Sequence, residues 1–422
     1  MQDARKKEDV MHNNSMKRMI FLTSLMFSLL VGCGIVATPI PSSETRTIAS
    51  TSILTNTPIS LPSLTPTVTP NSGIKLQCIE INDHEVQLQD AATGGTILMG
   101  AYPDNPFLLD LKTGIRYKLP FTRKEFEQGN GMSLSPDRRS LAYVEMLKDQ
   151  AGEPAKEMLR VVDARGNILA QTTFNRTDLY LERWLNNQSL QFNLNRWQGD
   201  GSVMVFNLFT GEQRTISDEL PQLNRNDLPG VTWRVEYSSN LEWVVYQAMK
   251  TEQDGVGPIV WDVINKKILW QSPFSGFEYE QPVWSPAGDE VAISVSDRLY
   301  IISRSAQARL IFDDSQSRFL DHLAWSPDGR YIAFRSFPKS SPKGSVMVYD
   351  LQTKQVVDYC IISDNIDDTP VWSPDSHQLI VAVRKEVDGS LVDLLILVDI
   401  EKNTAYQIPI TMGLSPWMKS LP

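Results

Sequence analysis

Ala324-Trp325-Ser326-Pro327-Asp328-Gly329-Arg330-Tyr331-Ile332-Ala333-Phe334 is a tryptophan, a tight turn and an apolar run in eleven residues. Proline fixes φ, aspartate accepts turn amides and glycine takes a left-handed backbone position, so Ser-Pro-Asp-Gly reads as a reversal between two strands. Two further segments match closely: Val283-Trp284-Ser285-Pro286-Ala287-Gly288, before Val291-Ala292-Ile293, and Val371-Trp372-Ser373-Pro374-Asp375-Ser376, before Leu379-Ile380-Val381. Weaker copies precede them. Leu134-Ser135-Pro136-Asp137 leads into Leu141, Trp184-Leu185-Asn186-Asn187 into Leu190, and Tyr237-Ser238-Ser239-Asn240 into Trp243. The lead residues 134, 184, 237, 284, 325 and 372 recur every 41 to 53 residues.

A second series interleaves with the first. It is a strand, a turn and another strand, at Phe107 to Lys118, Leu159 to Ala170, Val203 to Thr215, Ile259 to Trp270, Leu299 to Ile311, Val346 to Val357 and Leu395 to Ile408. Turns such as Asp110-Leu111-Lys112-Thr113-Gly114 carry the expected chemistry. Each unit is thus four short strands, and no long helical periodicity competes. Four-stranded units at this period define an all-β chain folded as a single β-propeller. Seven strand pairs point to seven blades, with six or eight as alternatives.

Trp325 to Phe334, and the segments at Trp372 and Trp284, resemble the TolB-type, WD-like propeller repeat. The resemblance spans roughly residues 85 to 416 and is strongest in the C-terminal half. It implies a fold rather than a partner, since fold does not settle function. It also implies structural roles for Trp184, Trp284, Trp325, Trp372, Asp328 and Asp375. TolB carries an α/β domain before its propeller; nothing like one is legible here.

The N-terminus reads as an address. Met16-Lys17-Arg18-Met19 is basic, and Ile20 to Val31 is a mostly apolar run. It is shorter than the roughly 20 residues that span a bilayer and suits a signal-peptide core. Residues 1–32 are therefore expected to be a signal peptide, with translation starting at Met16. Leu30-Val31-Gly32-Cys33 resembles the bacterial lipoprotein box, which implies cleavage before Cys33 and acylation of its thiol. Such a lipid anchors the chain to a membrane, extracytoplasmically. Residues 33–73 hold that cysteine and a Ser/Thr/Pro-rich linker, which at full extension reaches on the order of 100 Å. Residues 74–422 are assigned to the propeller.

Two closures of the ring are consistent with the sequence. Leu414-Ser415-Pro416-Trp417 looks like a lead motif without a blade behind it and would lie beside the first blade. Alternatively, Lys75 to Ile81 would add an edge strand to the last blade. The first blade itself is expected to use Glu85 to Leu88, Thr96 to Met99 and the pair from Phe107. Cys78 and Cys360 lie near the ring's start and end, and form a candidate disulfide. The alternative is two unpaired thiols packed as small hydrophobes.

The formal net charge is −10, and without the first 32 residues 35 basic face 47 acidic residues. Such a body repels phosphate backbones, which argues against nucleic acid as a partner. No cofactor motif is present: there is no His-Glu-x-x-His, Cys-x-x-Cys, phosphate loop or Gly-x-Ser-x-Gly. His84, His322 and His377 are too scattered to suggest a metal pair. Asp364, Asp367 and Asp368 are read as loop caps rather than calcium ligands. These features favour a non-catalytic binding or scaffolding module for an envelope protein or glycan. The alternative is a glycan hydrolase or lyase using carboxylates in the central channel.

Overall fold

The computed structural model describes residues 67–68, 74–79, 81–82, 88–99, 105–122, 131–148, 154–194, 203–215, 235–249, 255–273, 282–295, 297–313, 318–341, 343–363, 369–387, 390–408 and 417–420. Cys33 and its leader, His84, and Asp364, Asp367 and Asp368 lie outside the described residues.

The strands form seven antiparallel meanders, named blades 1–7 in chain order. Inner to outer, blade 2 is Met132–Leu134, Ser140–Lys148, Pro154–Asp163 and Ile168–Phe174; blade 3 is Leu179–Asn186, Ser189–Leu194, Val203–Asn207 and Gln213–Thr215. Blade 4 is Val235–Tyr237, Trp243–Met249, Gly255–Asp262 and Lys267–Gln271; blade 5 is Val283–Trp284, Glu290–Val295, Arg298–Ser303 and Ala308–Asp313. Blade 6 is Arg318–Trp325, Tyr331–Pro338, Gly344–Asp350 and Gln355–Ser363; blade 7 is Val371–Trp372, Gln378–Val387, Ser390–Asp399 and Thr404–Ile408.

Blade 1 is assembled from both ends of the chain. Trp417–Met418 is its inner strand, antiparallel to Thr96–Met99, followed by Phe107–Asp110 and Arg116–Lys118. Of the expected first strand Glu85 to Leu88, residues 85–87 lie outside the described residues; Leu88 belongs to a single helical turn, Leu88–Ala91, and the C-terminal strand takes the inner position.

Packing shows that the ring is closed. Seven hydrophobic clusters each join one pair of neighbouring blades: 1–2, 2–3, 3–4, 4–5, 5–6, 6–7 and 7–1. A sheet residue faces the seam opposite to that of its neighbour in sequence. Ile97 and Trp417 accordingly fill the 7–1 seam while Leu98 and Met418 fill the 1–2 seam. Ile380 faces 7–1, and Leu379 and Val381 face 6–7. With seven blades and seven seams the architecture is a seven-bladed β-propeller.

The turns behave as their chemistry demands. Ser326 Oγ donates to Asp328 Oδ1 (2.6 Å) and accepts Tyr331 N–H (2.8 Å), while Asp328 Oδ1 also accepts Arg330 N–H (3.0 Å). Ser373 with Asp375, Ser135 with Asp137 and Ser238 with Asn240 repeat the pattern. In blade 5, where Ala287 lacks the carboxylate, Ser285 Oγ turns to Asp289 (2.8 Å). The left-handed position is Gly329 or Gly288 in two blades, but Arg138, Leu241 and Ser376 in three others.

A strap precedes blade 1. Thr67–Val68, Lys75–Leu76 and Ile81–Asn82 add a parallel fifth strand to the outer edges of blades 5, 6 and 7 in turn. Ile74 packs on the 5–6 seam, and Ile79 and Ile81 on the 6–7 seam. Cys78 and Cys360 form a disulfide, Cα–Cα 4.8 Å, across 282 residues of sequence. Both devices weighed for closure are present, and the strap reaches blade 6 as well as the last blade.

Two outcomes are expected in urea denaturation at neutral pH. Replacing both Cys78 and Cys360 by alanine lowers stability by about 2–5 kcal/mol with the β-sheet spectrum retained, because the bridge constrains a long loop. Trp417→Ala lowers it by about 3–5 kcal/mol, because a fully enclosed indole is lost from the 7–1 seam.

Candidate functional site

The meander divides the ring into two unlike faces. Connections between first and second strands, and between third and fourth, emerge on one face and are tight capped turns. Those between second and third strands, and between blades, emerge on the other. On that side the sequence between described strands is longer, as between residues 122 and 131, 194 and 203, 215 and 235, and 273 and 282, whose intervening residues lie outside the described ones. A rigid scaffold carrying long connections on one side is how propellers and similar folds vary recognition.

At the inner strands the lead residue of each blade faces the seam behind it. Trp184, Trp284, Trp325, Trp372 and Trp417 lie in the 2–3, 4–5, 5–6, 6–7 and 7–1 seams. Two indoles tie blades together: Trp184 Nε1 donates to Ser133 O (2.9 Å) and Trp372 Nε1 to Ala324 O (3.0 Å), while Trp417 Nε1 donates to Gly94 O (2.9 Å), just before the next strand of its own blade. Trp325 Nε1 instead donates to Gly329 O in its own turn (3.1 Å). Trp284 stands edge-on to Trp243, centroids 4.8 Å apart. Asp328 and Asp375 cap their turns, and Asp328 N–H donates to Ser376 Oγ of blade 7 (3.0 Å).

Two arginines near the axis escaped the reading of the sequence. Arg138 occupies the left-handed turn position of blade 2 (φ 61°). Its Nη2 donates to Trp372 O (2.7 Å) in blade 7 and its Nε to Trp417 O (2.9 Å) in blade 1. One side chain thus fastens three blades across the closure, and burial pulls its guanidinium down to about 10. Arg183 precedes Trp184, where the strong copies of the motif carry Val283, Ala324 and Val371. In the next blade the same position is Glu236. Burial lowers the Arg183 guanidinium to about 10, against the attraction of Glu236 and Glu182. Arg183 Cζ lies 5.4 Å from the centre of the Trp284 ring, two blades away. The signal was available: a charged residue at a position that the repeat otherwise fills with a small apolar one.

Among the described residues several carboxylates are engaged. Glu145 pairs with Arg160 (2.9 Å), Asp321 is gripped by both Nε and Nη2 of Arg335, and Asp297 pairs with Lys339 (3.2 Å). Glu157 accepts Leu179 N–H (2.9 Å) and Glu182 accepts from the Asn193 amide (2.7 Å). His322 lies beside Thr369 and Asp321, and His377 beside Glu401. Among the described residues no group of three or more His, Cys, Asp or Glu is placed to hold a metal ion. A groove of about 390 Å³ lies between blades 4 and 5 on the tight-turn face, bordered by Trp243, Asp262, Lys267 and the Glu242–Arg304 ion pair.

No protein-family model matches the chain, and no curated protein matches it by sequence. Solved structures similar to it include an oligogalacturonate lyase in complex with manganese, at 12% identity and a TM-score of 0.48, covering 74% of this chain and 84% of that one. TolB from Acinetobacter baumannii is 14% identical, with a TM-score of 0.41 over 80% and 88% of the two chains. The Cps50 (Swd1) β-propeller domain of Myceliophteria thermophila is 13% identical, with a TM-score of 0.43 over 80% and 98%. Likeness at this level carries no functional information. The ring is defined by its own seven sheets and seven seams.

Asp350, Asp375 and Asp399 give the fold an acid limit. Burial pushes each carboxyl up. That push is outweighed by Arg330 at Asp350, by the Ser373 hydroxyl and turn donors at Asp375, and by Lys402 and Gln378 at Asp399, so all three titrate below the ordinary 3.8. A carboxyl depressed in the folded state stabilises fully above its unfolded value and loses that contribution as pH falls through its folded one. The urea midpoint is therefore expected to decline as pH drops below 3.8, and Asp350→Asn is expected to make that acid limb shallower.

Proposed function

We propose that this chain is an extracytoplasmic, lipid-anchored β-propeller that acts as a non-catalytic binding or scaffolding module for an envelope protein or glycan. The observation that carries the compartment is the Cys78–Cys360 disulfide, because such bonds persist where the surroundings are oxidising. It fits a leader ending in Leu30-Val31-Gly32-Cys33, with Cys33 as the lipidated residue. Two or three acyl chains there hold the chain on a membrane, each buried methylene adding roughly 0.8 kcal/mol. The strap fits this reading too. A pull on the N-terminal segment enters the ring along the outer edges of three blades and meets a covalent bridge into blade 6.

Binding is favoured over catalysis by the state of the carboxylates. General acid–base cleavage of a glycan uses two carboxyl groups about 5–10 Å apart with proton-transfer freedom. Among the described residues Glu145, Asp321 and Asp297 are committed to cations, and Glu157 and Glu182 accept hydrogen bonds from neighbouring strands. Recognition falls to the face with the longer connections.

Metabolic palmitate labelling of the full chain, with intact-mass analysis, is expected to give a mature protein beginning at an acylated Cys33, and Cys33→Ser is expected to remain unlabelled. A mature N-terminus elsewhere, or an unlabelled wild type, overturns the anchor. Crosslinking of the native protein in cells is expected to capture a discrete envelope partner. Degradation of a glycan panel by purified protein, with no partner captured, reverses the choice between binding and catalysis.

A further inference from the structure

Two residues beyond the end of each third strand, the chain reaches an exposed position in its tight turn. In blades 1 to 4 that position holds Lys112, Arg165, Phe209 and Ile264; in blades 5 to 7 it holds Ser305, Gln352 and Glu401. Phe209 is 77% exposed and Ile264 66%. Ile115 and Ile168, at the entry to the fourth strands of blades 1 and 2, are exposed as well. Each of the first four blades thus shows a large apolar side chain at this turn, and among the described residues the last three show none.

Charge follows the same division. From the end of the third strand to the first residue of the fourth, the exposed charges of blades 1 to 4 are Lys112, Arg116, Arg165, Lys266 and Lys267 against Glu212. Asp110, Asp163 and Asp262 lie at the base of their turns, where each carboxylate accepts a turn amide. This sector of the tight-turn face is therefore cationic at its tips, on a body whose net charge is negative. The strap adds a direction. Thr67 pairs in parallel with Arg309, near the start of the fourth strand of blade 5, and that strand starts at the tight-turn face. The backbone enters the strap from that face.

A protein partner favours a continuous apolar centre depleted in lysine. Apolar tips on separate blades, set among lysines and arginines, suit a bilayer surface instead: the apolar ends reach the acyl boundary while the cations meet lipid phosphates. We infer that the tight-turn face of blades 1 to 4 docks on an anionic lipid surface, with Phe209 and Ile264 at the acyl boundary and Lys112, Arg165, Lys266 and Lys267 on the headgroups. The opposite face, where second strands join third, then points away from the membrane. The tips and charges belong to the ring; only the meaning of the strap's direction rests on the lipid anchor proposed above.

The test is lysine acetylation of the full chain, read by peptide mass spectrometry in detergent micelles and on vesicles. Lys148 and Lys156, exposed toward the opposite face on blade 2, are the internal reference. From micelles to vesicles of phosphatidylglycerol and phosphatidylcholine in equal parts, labelling of Lys112, Lys266 and Lys267 relative to that pair is expected to fall several-fold. On phosphatidylcholine alone the fall is expected to be smaller. Phe209→Ser combined with Ile264→Ser changes only exposed tips, at little cost to the fold, and is expected to restore labelling on the mixed vesicles. A ratio unchanged between micelles and mixed vesicles overturns the inference. So does protection of Lys148 and Lys156 instead, protection as strong on phosphatidylcholine alone, or protection unchanged in the double variant. Protection already present in micelles that rises with protein concentration assigns the face to a second copy of the chain, and overturns it too. Flotation with phosphatidylcholine vesicles reads the anchor separately: a protein that does not float there but is protected on mixed vesicles loses the anchor and keeps the docked face.

Discussion

A four-stranded sheet with apolar side chains on both faces cannot bury them alone. Every blade therefore depends on two neighbours, and the seventh seam is the constraint on which the molecule rests. It is made by residues from opposite ends of the chain: Ile97, Met99 and Leu109 from the N-terminal side, Trp417 and the strands of blade 7 from the other. Because side chains alternate, the two-residue strand Trp417–Met418 serves both flanks of blade 1 at once. Arg138 adds a polar fastening at the same place, from a third blade. The strap then covers the outer edges of blades 5 to 7, where open strands would otherwise invite pairing with other chains.

The turns and seams support each other. Ser and Asp side chains of the Ser-Pro-Asp turn take up the amides that the reversal frees, so its serine is buried without cost in unmade hydrogen bonds. The preceding indole is thereby aimed at the seam behind it. Blade 3 departs from this scheme at Asn186-Asn187, yet Trp184 keeps its place and its bond to Ser133. The indole and its seam are more general in this ring than the turn that presents them.

Much of this was legible in the sequence. Repetition of Trp-Ser-Pro-Asp-Gly and of the second strand pair yields blades 2 to 7 and the number seven, since each repeat carries its own local chemistry. Blade 1 was harder, because its inner strand is contributed after residue 408 and its middle strands near residue 100. The inner position of that blade is taken by Trp417–Met418, and Leu88 lies in a helical turn. The strap was only partly visible: two-residue strands have no periodicity, and their pairing is set by the blades they cross. Arg138 and Arg183 went unread because an arginine in a turn or before a tryptophan looks like surface until the ring brings blades 7, 1 and 5 within reach.

A covalently fastened strap and a closed disc of seven blades thus give a coherent physical picture. Its central claim is that the C-terminal strand closes the disc as an integral part of it. Native-state hydrogen exchange measures this directly at the amides of Ile97 and Trp417, which face each other across that junction. The account predicts that they exchange only with global unfolding, together with core amides of blades 3 to 6. Fast exchange at both positions while those blades stay protected would contradict it.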